Sequence, residues 1–415
     1  MYKYRDNSWD FANANTKIYT HCFHNYPAMM IPQVAARLIS IFGQKATLLF
    51  DPYCGTGTSL VEASIKGINA IGTDLNPLAR LITAAKTNRL QVQVLDLYLK
   101  EFNDFIFCLL FGKEKPNIVV PKFKNIDYWF DKTIQQKLAI VKHFIEKISD
   151  KKVRTFFLVA FSETVRECSW TRNGEFKLYR MTEKQREKFK PDVFSMMLNK
   201  LSRNRKGLIE YLNALKAKTV YTKIYDFNPV YEVKHLAPNS VDLVVTSPPY
   251  GDSRTTVAYG QFSRLSNQWI GFEDASQVDK KLMGGKRAKN IKKFDLNIID
   301  DVLAELIKID KKRAAEVYSF YKDYYKSIKN VASLIKRHGY ACYVVGNRKV
   351  KGLTLPTDEI TKKFFEKNKF SHLETIVRHI PNKRMPKRNS PTNKTGVTDN
   401  TINCEYIVIM QKNSI

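Results

Sequence analysis

Val241-Asp-Leu-Val-Val-Thr-Ser-Pro-Pro-Tyr-Gly251 is the stretch from which the fold can be read. The largely apolar run Val241 to Val245 reads as a buried strand. It runs into Pro248 and Pro249, which cannot donate ladder hydrogen bonds, so the strand must stop there. The residue before each proline is pushed to an extended conformation, which makes Ser247, Pro248 and Tyr250 a stiff polar projection. Open α/β sheets bind ligands at the carboxyl ends of their strands, where this projection would stand.

Upstream, Thr47-Leu-Leu-Phe50 reads as a first strand. It enters Asp51-Pro-Tyr-Cys-Gly-Thr-Gly-Thr58, and a helix carrying Leu60, Val61, Ser64 and Ile65 follows and ends at Gly67. Strand, glycine turn and helix in that order make a nucleotide-binding βα unit, in which Gly55 and Gly57 let the backbone approach a ligand closely. The turn lacks the complete Gly-x-Gly-x-x-Gly of dinucleotide sites and a Walker lysine, which argues against NAD and ATP. A second strand, Ala70 to Asp74, precedes Leu75-Asn-Pro77. Asp74 stands 19 residues after Gly55, the spacing of an acid that binds ribose hydroxyls. It could also cap the helix that Pro77 begins, though the spacing favours ribose. Alternation resumes with a strand over 220–225, then Asp226-Phe227, and Asp226 lies 21 residues before Ser247. Helical spacing over 298–337, a buried strand Gly339 to Val345, a helix Glu359 to Glu366 and a final strand Glu405 to Met410 complete the sheet.

The 415 residues suffice for two or three domains, and the net charge of +29 points to a polyanionic partner. Six cysteines without a Cys-x-x-Cys pair give no zinc pattern, no metal site is expected, and reduced thiols suit a cytoplasmic protein. The polar N-terminus is no signal peptide, and no stretch is long and apolar enough for a membrane. The chain divides into 1–95 with the cofactor turn, a helical insertion over 96–215, and 216–415 with the proline-terminated strand. In the insertion, basic residues from Arg172 to Lys206 interleave with Trp170, Phe176 and Tyr179, a pattern suited to a nucleic-acid groove as well as to a solvated helical face. A glycine- and hydroxyl-rich flap is expected over 251–260, and the loops 252–295 and 380–395, which carry the basic stretches 280–293 and 380–393, are rivals for that surface.

The tetrapeptide Ser247-Pro-Pro-Tyr250 resembles the catalytic loop of amino-methyltransferases that modify exocyclic amines of DNA bases. Asp51 to Thr58 resembles the first motif of S-adenosylmethionine-dependent methyltransferases. The resemblance implies an α/β fold, a Rossmann-like seven-stranded methyltransferase sheet with helices on both faces, interrupted here by the insertion. It implies S-adenosyl-L-methionine as cofactor. Thr20 and Pro27, with His21 and Tyr26, would meet its methionine end; Asp51 would take its ammonium group within the turn formed by Pro52, Tyr53, Cys54, Gly55, Gly57 and Thr58. Asp74, Leu75 and Asn76 would meet its ribose, and Asp226 or Phe227 its adenine. Ser247 and the carbonyl of Pro248 would accept the amine's N–H groups, with Pro249 stiffening the loop and Tyr250 stacking on a base drawn out of the duplex.

Serine rather than aspartate at 247 resembles the N4-cytosine enzymes of restriction–modification systems more than the N6-adenine ones. C5-cytosine chemistry needs a thiolate, typically in a Pro-Cys pair, and no such pair occurs. The implied partners are double-stranded DNA and a cognate restriction endonuclease, with Arg254, Lys286, Arg287, Lys289, Lys383, Arg384 and Asn389 as candidate DNA contacts. Three other readings stay open: an N6-adenine DNA methyltransferase, an RNA guanine-N2 or adenine methyltransferase, and a DNA-binding protein on a degenerate methyltransferase scaffold.

Overall fold

The computed structural model describes residues 2–112, 118–217, 219–252, 256–273, 275–381 and 403–414, and the backbone of 388–389 and 399–400. Its centre is one eight-stranded mixed sheet. In chain order its strands are β1 (Lys3–Arg5), β2 (Leu48–Asp51), β3 (Asn69–Thr73), β4 (Thr222–Tyr225), β5 (Val241–Thr246), β6 (Ile335–Val345), β7 (Phe370–His379) and β8 (Cys404–Lys412). They lie in the order β1-β7-β8-β6-β5-β2-β3-β4. Only β8 runs against its neighbours, pairing antiparallel with both β6 and β7. At the centre, Leu49 of β2 faces Leu243 of β5 and Phe50 faces Val244. These strands are buried on both faces, which is why they read as continuous apolar runs.

The expected seven strands become eight. Lys3–Arg5 adds an exposed edge strand parallel to β7, held by backbone pairing and by side-chain contacts such as Lys3 with Asp358 and the Tyr4 hydroxyl with Glu374 at 2.7 Å. β7 itself is absent from the sequence reading. Its polar residues Ser371, His372, Glu374 and Arg378 break the apolar alternation, yet Arg378 is buried through an ion pair with Glu405.

One face of the sheet is covered by the helix Pro32–Phe42, whose Val34, Leu38 and Ile39 pack on Leu243, Val245 and Cys342. The other face carries the helices Asn297–Ile309, Lys311–Leu334 and Thr357–Glu366, packed on Phe50, Val244 and Tyr343. The stretch between β3 and β4 contributes four long helices, Val92–Phe111, Lys132–Lys147, Lys151–Cys168 and Val193–Ala214. Their core, with Phe102, Phe156 and Phe157, continues into Val61 and Ile82 of the two helices that follow β2 and β3. Every residue of the helix Thr58–Ile65 is therefore buried, between the sheet on one side and the insertion on the other.

Candidate active site

The carboxyl ends of β2, β3 and β5 open on one cavity of about 910 Å³, its mouth included. The turn after β2 is built around Asp51, which is buried. One carboxylate oxygen accepts the Tyr53 N–H at 3.0 Å and the Thr246 hydroxyl at 2.5 Å, and the other accepts the Ser59 hydroxyl. Asp51 thus ties the glycine turn to Thr246, the residue just before Ser247. Burial pushes its carboxyl up to about 6, against the pull of these hydrogen bonds. The glycine turn needs its glycines. Gly55 sits at φ +50°, with open space where a Cβ would be. Gly57 sits at φ +76°, where a Cβ would come 2.5 Å from Thr83.

Asp74, at the end of β3, accepts the Gly55 N–H at 3.2 Å and the Asn76 N–H at 2.7 Å. The helix Pro77–Lys86 is capped by Asn76, whose side chain accepts the Leu78 N–H. The capping role weighed for Asp74 thus falls to Asn76, and Asp74 is left facing the cavity. Burial raises its carboxyl to about 6 as well.

A third wall is the segment Tyr26 to Met30. Tyr26 stacks on Tyr259 with ring centroids 6.1 Å apart and accepts a hydrogen bond from Asn76 at 2.8 Å. The insertion holds this segment in place. Glu163 accepts the Asn25 N–H at 2.8 Å, and its other oxygen meets Lys200 at 3.1 Å and Arg203 at 2.7 Å. Phe227, Pro229 and Val230 make an apolar wall, with Leu282 and Met283 beside it.

Of the residues expected at the cofactor, Pro27, Asp51, Pro52, Tyr53, Cys54 and Gly55 line the cavity. So do Thr58, Asp74, Leu75, Asn76 and Phe227. Three differ. Thr20 is fully buried in a short 3-10 helix behind the wall, Gly57 lies one layer below, and Asp226 is exposed while its neighbour Phe227 turns inward. His21, another expected neighbour, is instead buried against Glu62 at 2.9 Å. Met29, Met30, Pro229, Tyr259 and Met283 were not read from the sequence; four come from loops and Tyr259 from the first residue of the helix Tyr259–Ile270, where no periodicity marks an inward face.

At the end of β5, Ser247 and Pro249 line the same cavity. The Ser247 and Tyr250 hydroxyls stand 3.4 Å apart, and Tyr250 donates to Glu405 at 2.9 Å. Among the expected DNA contacts, Lys286, Arg287 and Lys289 are exposed just beyond Leu282 and Met283. Arg254, Lys383 and Arg384 lie outside the described residues, and Asn389 is described only as backbone, paired with Asp399. Among the described residues there is no cluster that could hold a metal ion and no helix long and apolar enough to cross a membrane.

Two carboxylates opposite an apolar, aromatic wall suit a ligand with a cationic amine, a ribose and an aromatic base. The family model described as RMKL-like, methyltransferase domain, matches residues 19–100, which hold the turn and Asp74. The type II methyltransferase M.MvaI of Kocuria varians is 40% identical over 98% of this chain and 93% of its own length. The type II methyltransferase M.BsoBI of Geobacillus stearothermophilus is 23% identical over 58% of this chain and 50% of its own. A candidate DNA modification methylase of Thermus thermophilus, solved with S-adenosyl-L-methionine, is 20% identical over 44% of this chain and 51% of its own, with a TM-score of 0.23. Identity to M.MvaI spans the sheet, the insertion and both motifs: the chain belongs to the type II methyltransferase family, and S-adenosyl-L-methionine is its cofactor.

Proposed function

We propose that this enzyme methylates double-stranded DNA at a specific sequence, on the exocyclic N4 amine of cytosine. The observation that carries the reading is Ser247, a neutral hydroxyl that opens on the same cavity as Asp51 and Asp74. The amine's lone pair is conjugated with the ring, so it attacks only when its N–H groups are drawn out of the ring plane. The Ser247 oxygen and the Pro248 carbonyl are the acceptors for those N–H groups, held by a strand end that two prolines make stiff. The Tyr250 ring supports a base taken out of the duplex. Asp74 orients the cofactor ribose, and Asp51 favours its ammonium end. Bound S-adenosyl-L-methionine supplies an electrophilic methyl group on a sulfonium. Lys286, Arg287 and Lys289 meet phosphates at the rim, with Arg254, Lys383, Arg384 and Asn389 as further contacts. The type II relatives favour a cognate restriction endonuclease as partner.

The test is mass spectrometry of nucleosides from unmodified plasmid DNA, and from total RNA in parallel, after incubation with protein and cofactor. N4-methylcytosine in the DNA is expected. N6-methyladenine would keep the amine chemistry and reject Ser247 as the mark of the cytosine enzymes. Methylation in RNA alone would reject DNA as substrate.

A further inference from the structure

Two side chains stand behind Tyr250, and neither belongs to the motif. Glu405 of β8 lies directly across the strand pair from Arg378 of β7. The buried Arg378 guanidinium forms an ion pair with one Glu405 oxygen and donates to the carbonyls of Trp9 at 2.8 Å and Asp10 at 3.2 Å. The carboxylate is thereby fixed, and its other oxygen accepts the Tyr250 hydroxyl at 2.9 Å. A tyrosine hydroxyl has one proton, and an ionised carboxylate only accepts. With that proton committed to Glu405, the 3.4 Å contact between Ser247 and Tyr250 can run only from the serine proton to the tyrosine oxygen. Ser247 then turns its lone pairs, not its proton, toward the cavity. Burial and the Glu405 charge raise the Tyr250 hydroxyl well above its ordinary 10, so the proton that sets this order stays on the tyrosine.

We propose that Glu405 is a positioning residue that, through Tyr250, fixes Ser247 as an acceptor for the target amine. The inference rests on the reading of Ser247 as that acceptor. Without the carboxylate, Tyr250 is free to donate to Ser247. The serine proton would then face the amine's own N–H, opposing the geometry that makes the amine nucleophilic. Arg378 and the turn after β1 act one step further back, holding the carboxylate still.

The test compares Tyr250→Phe, Glu405→Gln, the double variant and Ser247→Ala in the full-length enzyme. Single-turnover methyl transfer to plasmid DNA is measured at saturating cofactor, with cofactor affinity from calorimetry. Tyr250→Phe and Glu405→Gln should each slow transfer roughly 10- to 100-fold, and Ser247→Ala, which removes the acceptor itself, by at least about 100-fold, the scale of losing one preorganised hydrogen-bonding group. Cofactor affinity should stay within about twofold, because a purely structural lesion would move both. The double variant should be no slower than the slower single one, since both break one chain. Wild-type transfer by Tyr250→Phe, or losses that multiply in the double variant, would overturn the inference. Should Glu405→Gln fail to fold because Arg378 loses its partner, Tyr250→Phe leaves that ion pair intact and decides alone. Full activity in Ser247→Ala would overturn the underlying reading and the inference with it. An inactive Ser247→Ala beside an unimpaired Tyr250→Phe overturns the inference only.

Discussion

Asp51 and Asp74 are each held at about 6 rather than their ordinary 3.8, chiefly because burial penalises the charged form. The folded chain therefore binds these two protons more tightly than the unfolded chain does. Their ionisation costs the cofactor-free protein stability as pH rises through about 6, a cost absent below about 3.8. Cofactor binding has the opposite sign, because an ammonium group and ribose hydroxyls prefer ionised acids. Affinity measured by calorimetry should fall as pH drops from about 7.5 to about 5.5. Asp74→Asn should weaken binding roughly tenfold at the upper pH, the scale of one hydrogen bond to a charged acceptor, and flatten part of that slope. Unchanged affinity would remove Asp74 from the ribose. Both acids were legible in the sequence, because strand ends and glycine spacing locate them. The choice between Asp226 and Phe227 was not, since it depends on where β4 stops, and that end is set by pairing with β3.

Among the elements, the insertion has a role its periodicity does not announce. Its helices could be read from spacing, but Glu163 and the Asn25 N–H it holds are 138 positions apart, and no local pattern links them. Burial would raise the Glu163 carboxyl; His24, Lys200 and Arg203 outweigh it and hold the group at about 2 against an ordinary 4.5. Its contribution to stability is full above about 4.5 and is lost as pH falls toward 2. Glu163→Ala leaves Lys200 and Arg203 without this carboxylate and frees the Asn25 N–H. We expect a loss of about 3 kcal/mol or more in denaturant unfolding, with weaker cofactor binding because Tyr26 to Met30 loses its anchor. Wild-type cofactor affinity in a folded Glu163→Ala protein would show that the insertion does not position that wall. β7 and β1 were invisible for a related reason: one is a half-polar strand and the other three exposed residues, and both exist by pairing rather than by their own pattern.

At the scale of the molecule, part of the excess positive charge behind the net +29 stands beside the cavity. Lys286, Arg287 and Lys289 follow directly on the cavity-lining Leu282 and Met283. Their backbone is pinned to the helix Lys311–Leu334 through Gly284 to Asp323 at 3.0 Å and Ala288 to Ser319 at 2.7 Å. A basic stretch fixed at the rim can set the register of a duplex over the cavity. Replacing all three by alanine should weaken DNA binding and reduce the slope of log affinity against log salt by about 2 to 3, at roughly 0.9 per phosphate contact. An unchanged slope would place the phosphates elsewhere. The central claim is that one cavity brings the cofactor to an amine held at Ser247. Its most direct test is the single-turnover methyl-transfer rate of Ser247→Ala at saturating cofactor and DNA. The account predicts a loss of at least about 100-fold; transfer at the wild-type rate would contradict it.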